Sequence, residues 1–309
     1  MSVVSIQKEG LDTIMQDPVV EKTKIVVNKD AANDVMKKDE TNVANPSKPN
    51  KAANFARIFF QWLLPPTFGL LLLVAVWSLV ASMSPGLPGP VKTWHSAVAL
   101  FSDPFYVNGP NDQGIGWNIL NSLKRVGLGF TMAAVVGIPL GFMIGRFGFL
   151  NRMTAPVISL LRPVSPLAWL PIGLLVFKAA NPAAIWVIFI SAIWPMIINT
   201  AVGVSKVPQD YMNVAKVLNL NEWKIVTKIL FPSVLPYMMT GIRLSIGTAW
   251  LVIVAAEMLT GGVGIGFWVW DEWNNLNVEH IIIAIFVVGI VGLLLEQALI
   301  LLAQRFTYE

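Results

Sequence analysis

The sequence predicts an all-α membrane protein with about six transmembrane helices. Of its 309 residues, 55% are hydrophobic and only 13% are charged, and the mean hydropathy is +0.64. This composition excludes an ordinary soluble domain, which needs more charged surface. Six apolar runs reach the length of about 20 residues that a helix needs to cross a hydrocarbon core. They are Phe60–Ser82, Val126–Gly145, Ala155–Phe177, Ala183–Val204, Tyr237–Leu259 and His280–Leu302.

The third run differs from the others because Pro163, Pro166 and Pro171 interrupt it. Proline is tolerated in a span where neighbouring helices and polar groups satisfy the freed backbone groups. We therefore expect a broken span at this place. An even number of spans puts both termini on the same side of the membrane.

Charge is distributed unevenly along the chain. Residues 1–55 carry 16 of the 40 charged side chains and have no aromatic residue before Phe55. A segment of this composition cannot bury enough apolar surface to order itself. We predict a disordered polar cytoplasmic tail over residues 1–55, with a partner-binding role as the alternative, and a transmembrane domain over residues 56–309. The tail is too long and too polar to be a secretory signal.

The charges between the spans predict the orientation. Basic residues outnumber acidic ones on the side that would hold both termini and the 205–235 loop, and the positive-inside rule makes that side cytoplasmic. The inner basic residues are Arg146, Arg152, Lys206, Lys216, Lys224, Lys228 and Arg305, against Lys92 and Lys178 outside.

Residues 208–232 form a polar segment with the pattern of two short helices. Pro208 and Asp210 suit the start of the first helix, and Asn219 suits a left-handed cap at its end. Asn221 suits the start of the second helix, and we expect Pro232 to end it. The first helix has an apolar stripe: Val214, Val217, Leu218 and Leu220. An ordinary amphipathic surface helix is the alternative interpretation of this segment alone.

The spacing of this segment resembles the "EAA" loop of ABC importer permeases. Asn213–Ala215 fill the Glu-Ala-Ala triplet, Asn219 stands at the glycine position, and Ile229–Pro232 follow nine residues later. Asn replaces both Glu and Gly, and Phe231 replaces Leu. The resemblance implies that this loop docks on a separate ATPase subunit. The residues it marks for this contact are Asn213, Val214, Ala215, Lys216, Val217, Asn219 and Pro232.

A wider resemblance covers about two-thirds of the chain. Between Trp94 and Phe306 the sequence is similar to permeases of the nitrate/sulfonate/bicarbonate branch of ABC importers, which have the type I (MetI-like) architecture. The similarity lies in LRPVSPLAWLPIGLLVF (161–177), residues 181–204, the 205–235 loop and residues 241–276. The stretch DPFYVNGPNDQGIGW (103–117) is most similar to nitrate/nitrite permeases.

This resemblance implies the function and the partners. The chain would be a bacterial inner-membrane permease that imports nitrate or nitrite by alternating access, with bicarbonate and then alkanesulfonate as the next substrates. A second copy, two cytoplasmic ATPase subunits that bind ATP and Mg, and an external anion-binding protein would complete the complex. A secondary anion transporter or channel is the rival hypothesis, because it would also have six spans and few buried charges.

Several other chemistries are excluded by the sequence. There is no cysteine, and the two histidines, His95 and His280, stand alone near predicted span ends, so we expect no metal site. The chain has no G-x-x-x-x-G-K-[ST] loop for ATP phosphates. The spans offer no convergent set of nucleophile, acid and metal ligand. We therefore expect no enzyme activity, no cofactor bound by this chain and no nucleic-acid partner.

Four basic residues in or beside the spans are candidates for an anion pathway. A basic side chain deep in a bilayer is costly and usually faces a cavity or a partner. The alternative is that these side chains extend to the headgroups near span ends. The four candidates are Lys124 and Arg125 just before the second span, Arg162 in the broken third span and Arg243 in the fifth span.

Glu257 precedes a glycine-rich turn, TGGVGIG (260–266), near the outer end of the fifth span. An acidic side chain repels an anion, so we expect it to have a structural role. It could pair with a basic residue across a dimer or accept hydrogen bonds from the turn. Gly261, Gly262 and Gly264 are candidates for an outer gate, because glycine permits close approach and positive φ angles. A simple tight turn explains them equally well.

Overall fold

The computed structural model describes residues 51–304, with the side chains of residue 60 and of residues 63 onward. These residues are helical apart from the loops and one isolated bridge between Val107 and Gln113. The helices are α1 (Lys51–Met83), α2 (Pro90–Leu100), α3 (Ile115–Arg146), α4 (Gly148–Leu161), α5 (Leu170–Phe177), α6 (Ala180–Ser205), α7 (Gln209–Val217), α8 (Glu222–Ile225), α9 (Phe231–Thr260), α10 (Ile265–Asn274) and α11 (Val278–Gln304). A 3-10 turn (Pro166–Trp169) precedes α5, and a π-helical segment (Val226–Leu230) joins α8 to α9.

The chain divides into two units between Leu72 and Leu73. The described part of the first unit is the beginning of α1, where Phe60, Leu63 and Phe68 are exposed. Residues 1–50 of the predicted tail lie outside the described residues. The last five residues of that predicted tail are helical, because α1 begins at Lys51 and the run contains Ala52 and Ala53, which favour helix.

The predicted membrane spans are largely confirmed. Within residues 51–304, five helices are long and apolar enough to cross a membrane: Leu63–Met83, α3, α6, the continuous helix Glu222–Thr260, and α11. The break predicted in the third span, Ala155–Phe177, is confirmed as well. The span is a bent pair in which α4 and the 166–177 helix meet at 95°, since proline breaks the helical hydrogen bonding between them.

Two predicted helix boundaries are wrong. α3 begins at Ile115 rather than at Val126, so Lys124 and Arg125 lie inside the helix. Asn118, Ser122 and Arg125, which interrupt the apolar sequence there, have hydrogen-bond partners within the protein. Pro232 does not end a helix either, because it occupies the first turn of α9, directly after the π-helical segment. A proline at that position costs little, because the π-helical segment before it already interrupts the regular α-helical hydrogen bonding.

Helix α6 is central, and small residues on its neighbours allow close packing against it. Along α3 the small residues recur every four positions: Gly129, Ala133, Gly137, Gly141 and Gly145. A Cβ atom added at Gly141 would lie 2.6 Å from the Cβ of Thr200 in α6. Such spacing is typical of helix pairs that approach closely in membranes.

An adjacent side of α6 packs against α9, and Met196 of α6 lies against both Gly137 of α3 and Gly241 of α9. A Cβ atom at Gly241 would lie 2.9 Å from the carbonyl oxygen of Pro195, and the Ser245 hydroxyl donates to the carbonyl of Ala192 at 2.6 Å. Gly247 does not take part in this contact, because it lies on a different face of α9, where an added Cβ would meet nothing within 4 Å.

Candidate functional site

The 209–225 segment has the helix–turn–helix geometry that its sequence predicts. Helix α7 ends in a turn where Asn219 has a φ of 48°, the left-handed conformation. The N–H of Leu220 donates to the carbonyl of Ala215 at 3.0 Å across this turn. Asn221 then caps α8, since its side-chain oxygen accepts the Lys224 N–H at 2.9 Å. The first helix starts at Gln209, with Pro208 as its N-cap.

One face of the segment is anchored in the protein. Ala215 is fully buried and Ile225 nearly so. Both belong to a core that includes Val204 at the end of α6, Leu230 at the end of the π-helical segment and Val234 in α9. Ala215 was expected to contact a docked partner. The structure places it inside this core instead, so its side chain packs within the chain.

The other face of the segment is exposed and apolar. Val217 is 82% exposed and Trp223 is 74% exposed, although both residue types are normally covered. We call this surface the apolar ridge; it consists of Tyr211, Val214, Val217, Leu218 and Trp223. The other predicted contact residues, Asn213, Lys216, Asn219 and Pro232, are exposed as well.

An ion pair that the sequence did not predict joins the segment to α3. Arg146, at the end of α3, donates from Nη2 to Glu222 at 2.9 Å and from Nε at 3.3 Å. Close to it, the rings of Phe142 and Phe231 stack with their centroids 6.3 Å apart. The 209–225 segment is therefore connected to α3, α6 and α9 together.

At the far end of these helices, which we call the distal end, a buried network surrounds Glu257. Its side chain is 1% exposed and pairs with Arg125, whose Nη1 lies 2.5 Å from Oε1. Ser122 Oγ lies 2.7 Å from Oε2, and the Gly266 N–H donates to Oε2 at 3.0 Å. Glu257 thus pairs within its own chain, and it accepts a hydrogen bond from the glycine-rich turn.

The same network fixes the turn between α9 and α10. The Gly264 N–H donates to Asn118 at 2.8 Å, and the Ile265 N–H donates to Ser122 at 2.9 Å. Gly261 and Gly262 have φ angles of 76° and 89°, which L side chains rarely adopt. A Cβ at Gly264 would lie 2.4 Å from the Glu257 carboxyl carbon. The turn is therefore closely packed onto the network.

The four basic candidates do not form a single site. Arg125 is partly buried beside Glu257, whereas Arg243 is half-exposed and donates to Glu296 at 2.5 Å and 2.9 Å. Arg243 and Glu257 stand 14 residues apart on α9, which corresponds to about 21 Å along a helix. Lys124 is exposed on α3, and Arg162 is exposed at the bend after α4; neither has an ion pair within residues 51–304.

Sequence reasoning missed several partners in these clusters. Ser122, Asn118 and Asn181 are unremarkable in the sequence, but each bonds a candidate residue or the turn; Asn181 Oδ1 accepts from Arg125 Nε at 2.8 Å. The only sequence signal was their position inside an apolar helix. A polar residue at such a position usually has a partner.

Comparisons with known proteins agree with this architecture. The model of the family described as binding-protein-dependent transport system inner membrane component matches residues 137–308. The nitrate import permease protein NrtB of Synechocystis sp. is 47% identical over 252 residues, which are 81% of this chain and 92% of that protein. The bicarbonate transport system permease protein CmpB of the same organism is 46% identical over 241 residues, 77% of this chain and 86% of that protein.

A second NrtB, from Leptolyngbya laminosa, is 47% identical over 242 residues, 78% of this chain and 87% of that protein. Among solved structures, a chain of the inward-facing MetNI methionine ABC transporter matches with a TM-score of 0.55 and 14% identity, covering 62% of this chain and 95% of that chain. That likeness concerns the fold, and it confirms the predicted MetI-like architecture.

The family match and the relatives that are 46% and 47% identical show the family. The chain therefore belongs to the binding-protein-dependent transport system inner membrane component family, as an ABC importer permease of the nitrate and bicarbonate branch.

Proposed function

We propose that the chain is the membrane subunit of an ATP-driven importer of nitrate or nitrite, and that the apolar ridge docks on a cytoplasmic ATPase subunit. The observation that supports this docking proposal is the exposure of the apolar ridge. A contiguous exposed apolar surface marks a partner site, and a helix that presents residues three and four positions apart fits a groove on a partner. ATP and Mg would be bound by the ATPase subunits.

The contacts of the segment provide a route for coupling. A displacement of α7 would be transmitted through the core around Ala215 to the end of α6 and the start of α9. The Arg146–Glu222 pair extends this connection to α3. Rigid movement of packed elements is how a local event is amplified in such proteins. ATP binding would close the inner mouth and open the distal end, and hydrolysis would reset the transporter.

The substrate is proposed from the relatives. Relatives named for nitrate import and for bicarbonate transport are 47% and 46% identical to this chain. We propose nitrate or nitrite as the substrate, and bicarbonate as the alternative. Nitrate and bicarbonate are planar anions with three oxygens and one charge. A permease of either kind would receive its anion from an external binding protein.

The assembly and the orientation complete the proposal. Two copies of the chain would pair in the bacterial inner membrane and bind two ATPase subunits, one through each apolar ridge. Both termini would be cytoplasmic, because the basic residues between the spans lie mainly on the side of the 209–225 segment. The distal end would then face the external binding protein.

The experiment changes the ridge without touching the core. Val217→Glu places a charge at an 82% exposed position, so we expect the permease to fold normally and to lose the co-purifying ATPase. Leu276→Glu is the control, because Leu276 is 80% exposed and lies far along the chain from the ridge, beyond α10. Equal ATPase recovery with Val217→Glu and with Leu276→Glu would refute the docking proposal.

A further inference from the structure

A polar cavity of about 330 Å³ lies at the distal end, where α3, α6 and α9 meet. Its wall is formed by Gln113 before α3, Asn121 and Arg125 of α3, Asn181 of α6, Thr260 of α9 and the turn at residues 261–263. Most of these side chains carry amide, hydroxyl or guanidinium groups. A cavity of this size holds a small anion with several waters.

Arg125 is held rigidly at this cavity. Its Nη1 donates to Glu257, and its Nε donates to Asn181 at 2.8 Å. Its side chain is 11% exposed. A guanidinium has five N–H donors in a planar fork, so two bonds leave other donors available. Within residues 51–304, no further hydrogen bond of this guanidinium is found.

Asn181 adds a second donor. Because its Oδ1 accepts from Arg125, its amide nitrogen is directed away from that bond and is available to the cavity that it lines. An arginine fork beside an amide N–H2 suits an anion with coplanar oxygens, because the fork binds two oxygens of a planar oxyanion at once.

We propose that this cavity is a transit site for a planar, singly charged oxyanion, with Arg125 and Asn181 as the binding residues. This inference rests on the proposed import function and adds the place where the anion enters the permease. Glu257 neutralises most of the positive charge of Arg125, so binding is weak. Weak binding suits a site that must release its anion.

A second groove with charged side chains fits this role less well. A cavity of about 600 Å³ between α9 and α11 contains Arg243. There, two nitrogens of the guanidinium donate to a single oxygen of Glu296, and the lining contains no amide side chain. It therefore lacks the second donor that Asn181 supplies at the distal end.

The absence of cysteine from the chain allows a direct binding test. Thr260→Cys places one thiol in the cavity, and Ser102→Cys is the control at an exposed position outside it. Both hydroxyls donate to a carbonyl of the preceding helical turn, so each substitution removes one hydrogen bond of the same kind. The assembled complex, in detergent and without ATP, is treated with an anionic thiosulfonate in nitrate, bicarbonate or chloride at equal ionic strength.

We expect nitrate or bicarbonate to slow the modification of Thr260→Cys and to leave Ser102→Cys unchanged. At about ten times the Kd, protection should be about tenfold, because the rate falls as 1/(1 + [L]/Kd). Adding Asn181→Leu should remove this protection in a complex that still assembles, because it deletes the amide donor of the cavity and the acceptor that holds Arg125 Nε. Arg125 is left intact because its loss would leave Glu257 unpaired.

Two results would overturn the site: no protection by either oxyanion, or equal protection by chloride. Since the measurement requires neither ATP nor transport, it is independent of the import function. Anion uptake by the unmodified complex without protection at Thr260→Cys would refute the transit site but not the import function. Protection without ATP-dependent uptake would support the transit site and refute the import function.

Discussion

Two arginines of α3, each paired with a carboxylate, have very different surroundings. Arg125 and Glu257 are 11% and 1% exposed, whereas Arg146 and Glu222 are 31% and 61% exposed. The sequence singled out Arg125 and Glu257 separately. The sequence does not show that they pair, because 132 residues separate them. The neutral residues that complete the network do not belong to any recognisable sequence motif.

This difference predicts how the two carboxylates contribute to stability. Glu257→Ala removes the carboxylate from the partly buried Arg125 and leaves Asn181 as its hydrogen-bond partner, which costs up to about 3–5 kcal/mol. A pair as exposed as Arg146–Glu222 contributes about 0–1 kcal/mol. We expect Glu257→Ala to lower the thermal midpoint of the purified permease far more than Glu222→Ala does. Similar midpoints would show that the Glu257 network is not a stabilising element.

At the scale of elements, local sequence rules predicted α7, its left-handed Asn219 and the Asn221 cap, because caps depend only on neighbouring residues. The rules failed at Pro232, where the π-helical segment lets the helix continue. They also could not predict the 95° angle between α4 and the helix after it, since an angle depends on tertiary packing. The stripe of small residues on α3 can be seen in the sequence, but the sequence does not tell which helix packs against it.

That stripe supports a prediction with a control on the same helix. Gly141→Ala would bring a Cβ to 2.6 Å from Thr200 and 2.8 Å from the Ile197 carbonyl, so α3 and α6 would have to separate. We expect a clear loss of thermal stability. In Gly127→Ala the added Cβ meets nothing within 4 Å. This variant should be neutral or slightly stabilising, because alanine favours the helix over glycine by about 1 kcal/mol. Equal stability of the two variants would argue against close α3–α6 packing.

At the scale of the whole molecule, hydropathy and the family resemblance predicted the architecture, because membrane spans are recognised by length and composition alone. The resemblance also indicated the 209–225 segment as a partner site. It could not tell which of its residues face outwards, and the structure resolves this by burying Ala215 and exposing Val217 and Trp223. The two ends of the molecule thus have different surfaces, an apolar ridge at one and a polar cavity at the other.

The proposed function of this chain is the import of a small oxyanion with energy from ATP. The most direct measurement combines the permease, its ATPase subunits and its anion-binding protein in proteoliposomes and records ATP hydrolysis together with nitrate and bicarbonate uptake. We predict that the anion-loaded binding protein stimulates hydrolysis and that uptake stops without ATP. Uptake that continues without ATP for as long as an ion gradient lasts would contradict this account and indicate a secondary transporter.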